Sequence, residues 1–125
     1  MKKLLLTLLA SLLLTGTAWA EWVRFGSDND TNFYIDPATI RKDGDIRRVW
    51  ELQNHKLRAE DGILSARFRS EYDCKQERYR ILSFSTHSGP MASGATLESR
   101  IGSGQWRDIP PDSNSKDVLE KVCAK

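Results

Sequence analysis

Cysteine and histidine are the side chains of this sequence that could bind a metal or carry redox and nucleophilic chemistry. The chain contains Cys74, Cys123, His55 and His87 and no other residue of either type. The cysteines are not spaced as a CxxC redox motif, and the histidines show no metal-ligand spacing. We therefore favour a structural disulfide between Cys74 and Cys123 over a redox or metal pair. Closing a loop of about 50 residues would stabilise the fold by roughly 4 kcal/mol.

Catalysis by acid–base or nucleophilic groups would need side chains in a protected, organised setting. Glu51, Glu71 and Asp73 are expected on a solvent-exposed strand face, where their pKa values would stay ordinary. Both histidines are expected to be solvated, with no activated Ser or Cys nucleophile beside them. The sequence therefore predicts no catalytic residue, no cofactor-binding residue and no metal ligand, and we do not expect an enzyme.

Basic side chains recur along the predicted strands and could line up as a cationic strip across the sheet. They are Arg41, Lys42, Arg47, Arg48, Arg67, Arg69, Arg78 and Arg80. Such a strip could bind an acidic polysaccharide or an acidic protein. Interleaved acidic residues allow another interpretation, in which cross-strand ion pairs occupy the basic side chains without any partner. We favour this second interpretation, with the acids Glu51, Glu71, Asp73 and Glu77.

The amino terminus has the pattern of a cleavable export signal. Lys2 and Lys3 precede an apolar run over residues 4–14, and the small residues Ala18 and Ala20 suit a signal peptidase. We expect residues 1–20 to be removed and residues 21–125 to form one domain. Removal of the two lysines leaves 17 basic and 17 acidic residues, so net charge does not indicate nucleic acid or anionic membrane as a partner.

The expected location follows from the same segment. Because the apolar run is shorter than the ~20 residues of a membrane helix, we expect no transmembrane span in the mature chain. No cysteine follows the run, so the chain lacks the acceptor that a bacterial lipoprotein needs. The protein is expected in the periplasm or secreted, with the cell surface as a further location.

Strands must position most of these side chains. The sequence predicts an α+β fold, with an antiparallel sheet of about five or six strands, a C-terminal helix packed on one face and one disulfide. A helix capped by Ser113 or Asn114 would place Val118, Leu119 and Val122 on one stripe. Strands are expected at residues 22–25, 32–35, 46–53, 63–74, 78–86 and 105–109, with one helical turn, capped by Asp36, at residues 36–40. The mixed apolar pattern of residues 78–86 indicates either a central strand or a bulge that switches face near Ile81.

A glycine- and serine-rich segment follows the fifth predicted strand. Residues 88–104 are expected to form a long loop, which would be either a flexible hairpin tip or a functional element. Its first residues, Ser88, Gly89, Pro90 and Met91, are the candidate partner-binding loop. The tryptophans of the body are expected in the core, and any left exposed would be a candidate interface anchor: Trp22, Trp50 and Trp106.

Nearly the whole body of the chain resembles the surface-adhesin protein E family. The resemblance is carried by the order of short motifs and by the two cysteines: Trp22-Val23, Phe33 to Ile40, Val49-Trp50, Glu71 to Cys74, Tyr79 to Ser83, Gly89-Pro90, Trp106 with Pro110-Pro111, and Val122-Cys123. It implies a small exported bacterial protein with an antiparallel sheet, a helix and an internal disulfide. It also implies binding of host matrix and serum proteins such as laminin, vitronectin and plasminogen, and a homodimer.

Two functions are therefore expected from different classes. The first is a non-enzymatic protein-binding module that uses strand-edge or loop contacts. The alternative is a periplasmic envelope protein that binds a small or envelope-derived ligand, for which an apolar pocket beside the 88–104 segment would be the distinguishing feature.

Overall fold

The computed structural model describes residues 20–124 of the chain. The predicted signal segment, with Ala18, lies outside these residues, and Ala20 is the first residue described. The strands are β1 (Val23–Ser27), β2 (Thr31–Asp43), β3 (Ile46–His55), β4 (Ser65–Asp73), β5 (Arg78–His87), β6 (Thr96–Ile101) and β7 (Arg107–Asp108). A short 3₁₀ turn (Pro90–Ala92) precedes β6, and the helix α1 (Asn114–Cys123) follows β7.

The strands form one antiparallel sheet in chain order from β1 to β6. The strand β7 pairs with the first two residues of β5, so β6 and β7 lie on the same side of β5. Tight turns join most neighbouring strands, which is the connection that antiparallel pairing allows. The predicted α+β architecture is confirmed, with six strands along the main path and β7 added to it.

The helix α1 covers one face of the sheet, and we call this the helix-covered face. Val118, Leu119 and Val122 pack from the helix onto Ile35 and Val49, and Tyr72 completes the core. Ser113 caps the helix by accepting a hydrogen bond from the Lys116 amide at 3.2 Å. A disulfide joins Cys74 and Cys123, whose Cα atoms are 5.8 Å apart. The predicted bridge is therefore confirmed, and it fastens the helix end to the end of β4.

The predicted helical turn at residues 36–40 is wrong, because these residues continue the strand β2 through a bulge. The Asp36 carboxylate still accepts a hydrogen bond from the Ala38 amide, at 3.2 Å. Thr39 donates to the Asp36 carbonyl at 2.7 Å and accepts from the Trp50 amide at 3.0 Å. These hydrogen bonds pair polar backbone groups of the bulge. The residues that resemble a helix cap therefore stabilise an irregular strand, and no helix forms.

The predicted long loop at residues 88–104 is largely ordered, since the 3₁₀ turn and the strand β6 lie within it. Gly102 follows β6 where its amide donates to the Leu82 carbonyl at 2.8 Å. A Cβ at Gly102 would lie 2.1 Å from the Ile81 carbonyl oxygen, so only glycine fits this approach. The predicted bulge near Ile81 is confirmed, because the pairing of β4 with β5 skips Leu82.

Candidate functional site

The face of the sheet opposite α1 carries a group of arginines, and we call it the open face. Alternation along β4 turns Arg67 and Arg69 away from the helix, as the sequence pattern predicts. Arg48 and Trp50 on β3 share this face, and Arg41 joins them through the register of β2 with β3. The register of β4 with β5 adds Arg78 and Arg80. The sheet thus brings together six of the eight predicted basic positions on this face: Arg41, Arg48, Arg67, Arg69, Arg78 and Arg80.

Glu71 is the centre of an ion-pair cluster on the open face. One carboxylate oxygen accepts from Arg48 at 2.9 Å, and the other accepts from Arg80 at 2.7 Å. Burial by itself would raise the pKa of Glu71, but the hydrogen bonds from Arg80 and Arg48 outweigh it, and the pKa is lowered. The prediction of a solvated Glu71 with an ordinary pKa is wrong, because its neighbours cover the carboxylate.

Asp73 forms a second buried cluster beside it. Its carboxylate accepts from the Gln76 amide at 3.0 Å and from Arg78 at 3.1 Å. The amide hydrogen bond is the main cause of a lowered pKa at Asp73. The Trp106 ring lies against both guanidinium groups of this region, at 4.7 Å from Arg78 and 4.4 Å from Arg80. The predicted cross-strand ion pairs are confirmed for Arg48, Arg78 and Arg80.

Other basic side chains of the predicted strip are not in ion pairs. Among residues 20–124, neither Arg67 nor Arg69 has an acidic partner within ion-pair distance. The Arg67 guanidinium lies 5.0 Å from the centre of the Trp50 ring. Arg47 and Lys42 occupy the register positions of the helix-covered face, and Arg47 donates to the Gly44 carbonyl at 2.6 Å. The unpaired part of the strip is therefore concentrated around Trp50.

Two clefts flank Trp50 on the open face. The first has a volume of about 230 Å³ and is lined by Thr39, Arg41, Arg48, Trp50 and Arg69. The second has a volume of about 210 Å³ and is lined by Trp50, Arg67, Ser83, Phe84, Ser85, His87, Thr96 and Ser99. No acidic side chain lines either cleft, so both can accept an anion.

The candidate partner-binding loop, Ser88 to Met91, is fastened to the sheet. Ser65 donates to the Gly89 carbonyl at 2.7 Å, and the Met91 amide donates to the Asn54 side chain at 2.8 Å. Met91 has a φ of 55°, in the left-handed region. The loop therefore covers the buried Ser65 on the open face, and its partner contact stays a prediction.

The edge of the sheet at β6 is apolar in places and exposed. Leu97 and Ile101 are 47% and 90% exposed, and they are two of the four large hydrophobic side chains that are exposed among residues 20–124. No described strand pairs with the outer side of β6. Residues 88–104 were predicted to form a loop because the segment is rich in glycine and serine, so the β6 edge was missed.

Glu51 lies on the helix-covered face beside Tyr72, which donates to its carboxylate at 2.8 Å. Burial raises the pKa of Glu51, and it also raises the pKa of Tyr72. The prediction of a solvated Glu51 with an ordinary pKa is therefore wrong. Glu51 was expected on a solvent-exposed face because the apolar residues of β3 lie on the other face. In the structure the helix and the 3₁₀ turn cover parts of both faces, so Glu51 is covered.

The two histidines are held by hydroxyl groups. His87 is buried, with Nε2 at 2.8 Å from the Ser85 hydroxyl, and burial is the main cause of its lowered pKa. His55 places Nδ1 3.1 Å from the Thr31 hydroxyl and is partly buried. The prediction of a solvated His87 is wrong, because β6 and the 3₁₀ turn enclose the end of β5. No carboxylate hydrogen-bonds to either ring within residues 20–124, so neither pair forms a catalytic triad.

Residues 20–124 contain no group of three or more His, Cys, Asp or Glu side chains placed to hold a metal ion. Within the same residues, no helix has the length and apolar character to cross a membrane.

Similarity to known proteins identifies the family of this chain. Residues 22–124 match the model of the family described as surface-adhesin protein E. The fold is similar to a crystal structure of Haemophilus influenzae protein E, with a TM-score of 0.66 and 14% identity over 86% of this chain and 91% of that one.

A structure of protein E from non-typeable Haemophilus influenzae is also similar, with a TM-score of 0.62 and 16% identity over 88% of this chain and 79% of that one. Curated proteins include no significant match. Because the family model spans almost all of the described residues, the chain belongs to the surface-adhesin protein E family.

Proposed function

We propose that this protein is an exported, non-enzymatic module that binds proteins of the host matrix or serum through the β6 edge. Family membership supports an adhesin-like role. The observation that carries the proposal is the exposure of Leu97 and Ile101 on an unpaired edge strand. An extended segment of a partner can add to such an edge, where main-chain hydrogen bonds provide affinity and apolar side chains provide further contact.

The edge proposal is tested by placing a charge on it. Ile101→Lys adds a lysine at a side chain that is 90% exposed, so the fold should be unaffected. We expect this variant to bind immobilised laminin, vitronectin or plasminogen at least about tenfold more weakly than the unchanged protein. The matched control is Val23→Lys, at an exposed position on the opposite edge strand β1.

Equal binding by both variants and the unchanged protein would exclude the β6 edge. Absence of binding to all three proteins would reject the host-protein proposal itself. The same edge could pair with a second copy, and sedimentation of the unchanged and Ile101→Lys proteins tests whether a homodimer forms there.

Export is part of the proposal and has its own test. We expect cleavage after Ala20, a mature protein that starts at Glu21, and an intact Cys74–Cys123 disulfide. Mass spectrometry of the native protein checks all three. Cell fractionation with surface-protease digestion then separates the locations, because host binding requires the surface or the medium, whereas full protection inside the periplasm contradicts it.

A cavity on the helix-covered face supports a second candidate function, the binding of a small apolar ligand. It has a volume of about 260 Å³ and is lined by Tyr79, Ile81, Phe84, Gly102, Ser103, Gln105 and Arg107. It lies beside the end of the 88–104 segment, where the ligand pocket of a periplasmic protein was expected. Mass spectrometry of the protein purified from its native envelope, under non-denaturing conditions, would detect such a ligand. Phe84→Ser should then abolish the added mass.

A further inference from the structure

More arginines surround Trp50 than the fold uses in ion pairs. Arg48 pairs with the buried Glu71, and this bond helps to compensate the burial of the carboxylate. Arg67 and Arg69 contribute no ion pair within the described residues, although they lie on the same face of one strand. The first cleft is lined by the guanidinium groups of Arg41, Arg48 and Arg69, and within the described residues only Arg48 has an acidic partner, Glu71. Such a cluster is self-repulsive unless an anion is bound, so charge complementarity indicates an acidic occupant.

The two clefts suit a chain that carries anionic groups at intervals. They share Trp50 and lie on either side of it, so one linear molecule that crosses the tryptophan can reach both. The first cleft offers mainly guanidinium donors, from Arg41, Arg48 and Arg69. The second offers the Arg67 guanidinium with hydroxyl groups, from Ser83, Ser85, Thr96 and Ser99. Guanidinium groups bind sulfate and carboxylate in bidentate fashion, and the hydroxyls can bind sugar hydroxyl groups.

An acidic polypeptide suits this surface less well. The backbone groups of β3, β4 and β5 are already paired with neighbouring strands, so an extended peptide cannot add main-chain hydrogen bonds on the face. Recognition there must come from side chains alone, through charge, hydroxyl groups and the partly exposed Trp50 ring. A sulfated sugar chain presents all three complementary features on each repeat.

We propose that the open face binds a linear sulfated polysaccharide, with anionic groups in the two clefts and a sugar unit against Trp50. The second cleft borders β6 through Thr96 and Ser99, but its cation, Arg67, lies on β4, two strands from the edge. This proposal does not depend on the protein-binding proposal. The two sites also respond differently to added positive charge. A lysine at position 101 weakens an apolar edge contact but does not weaken the attraction of a polyanion.

The experiment measures heparin binding by isothermal titration calorimetry with the mature, disulfide-bonded protein. We expect Arg67→Ser with Arg69→Ser to weaken binding about tenfold, since each removed cation loses a charge-assisted contact. The matched control removes two exposed cations from outside the open face, by Lys42→Ser with Lys121→Ser, and should stay within about twofold of the unchanged protein. Circular dichroism and thermal unfolding confirm that each variant is folded.

Two further ligands and a change of salt test whether sulfate groups are what the site recognises. Desulfated heparin should bind at least about tenfold more weakly, and binding of intact heparin should weaken as NaCl rises from about 50 mM to about 300 mM. Hyaluronan, which has carboxylates but no sulfate, should bind weakly. The Ile101→Lys protein should retain heparin binding even where it loses binding to matrix proteins, which separates the two proposals.

Several binding results would contradict the proposal. Absence of heparin binding, or an equal loss in the control pair, would overturn a localised polysaccharide site. Binding of polyglutamate as tight as that of heparin would assign the face to acidic protein instead. Unchanged binding by Trp50→Leu would remove the sugar contact from the proposal, and with it the reason to prefer a polysaccharide.

Discussion

The helix-covered face and the open face each contain a carboxylate that the sequence places among polar residues. Glu51, on the first face, accepts a hydrogen bond from Tyr72 and has no ion pair among residues 20–124. Glu71, on the second face, lies between Arg48 and Arg80. Burial raises the pKa of Glu51, whereas arginine hydrogen bonds lower that of Glu71. The environment on each face, and not the residue type, determines which protonation state the fold favours.

This difference shows how each face is stabilised. The helix-covered face depends on apolar packing and a covalent bridge, because α1 has only ten residues and is too short to be stable alone in water. The open face depends on charge pairs across strands, and it keeps cations that these pairs do not use. Stability is therefore expected to depend mainly on the first face, and binding on the second face and the edge.

The largest expected effect comes from removing the bridge. Cys74→Ser with Cys123→Ser releases the end of α1 from β4, and the loop between the cysteines spans 49 positions. We expect the free energy of unfolding to fall by about 2–4 kcal/mol, measured by urea denaturation without reductant. A loss below about 1 kcal/mol would mean that packing alone holds the helix.

Truncation in the helix stripe should have the next largest effect. Leu119→Ala removes a buried side chain of the core and should lower the unfolding free energy by about 2–4 kcal/mol. The control is Leu97→Ala on the exposed β6 edge, where a change of at most about 0.5 kcal/mol is expected. Similar losses at both positions would contradict the assignment of the core to the helix-covered face.

Breaking the ion-pair cluster should cost less. Glu71→Gln leaves Arg48 and Arg80 without their carboxylate, and we expect a loss of about 1–2 kcal/mol near neutral pH. Because the folded pKa of Glu71 is lowered, its contribution is present above the ordinary value of 4.5 and is lost as pH falls through the folded value. Unfolding measured from neutral to acidic pH should show a steeper acid loss in the unchanged protein than in the variant.

Glu51→Gln should have the opposite pH signature. The raised pKa of Glu51 means that the folded state binds a proton more readily than the unfolded state. This group therefore favours folding at low pH, and its contribution is lost as pH rises through the folded value. We expect the variant to be up to about 1 kcal/mol more stable than the unchanged protein at neutral pH, because a buried glutamine side chain carries no charge to desolvate. Equal stability of the two proteins at all pH values would refute a perturbed Glu51.

The smallest effect on stability is expected at the unpaired cations. Arg67→Ser with Arg69→Ser should change the unfolding free energy by no more than about 0.5 kcal/mol, since neither side chain has an acidic partner among the described residues. Thermal unfolding at matched salt measures it. A large loss would show that these arginines support the fold, and binding defects in this variant would then need a different explanation.

Much of the fold was predictable from local pattern. Alternation in β4 correctly assigned Arg67 and Arg69 to one face and Phe68 and Tyr72 to the other, because side-chain direction reverses at every strand residue. The bulge near Ile81 was one of two interpretations of the change in apolar parity there, the other being a central strand. The segment Thr96–Ile101 was missed, because both of its faces are mostly exposed and no apolar alternation marks it.

The candidate site was only partly predictable. The arginines and their ion pairing follow from the sequence pattern, but the pattern does not indicate which arginines remain unpaired. That depends on the register of β3, β4 and β5, which gives both oxygens of Glu71 to Arg48 and Arg80 and no acid to Arg67 or Arg69. The partner loop of Ser88 to Met91 was predicted from composition, and its attachment to Ser65 and Asn54 emerged only in three dimensions.

The sequence by itself determined many local properties of this protein: the position of most strands, which residues share a strand face, where the helix begins, and that one pair of cysteines is available for a bridge. These follow from steric preferences and from the spacing of apolar residues along the chain. The tertiary structure alone decided which polar groups are buried, which arginines are neutralised and which edge is left open. Those outcomes depend on contacts between residues far apart in the chain, and burial and charge pairing exist only once the sheet, helix and 3₁₀ turn have packed together.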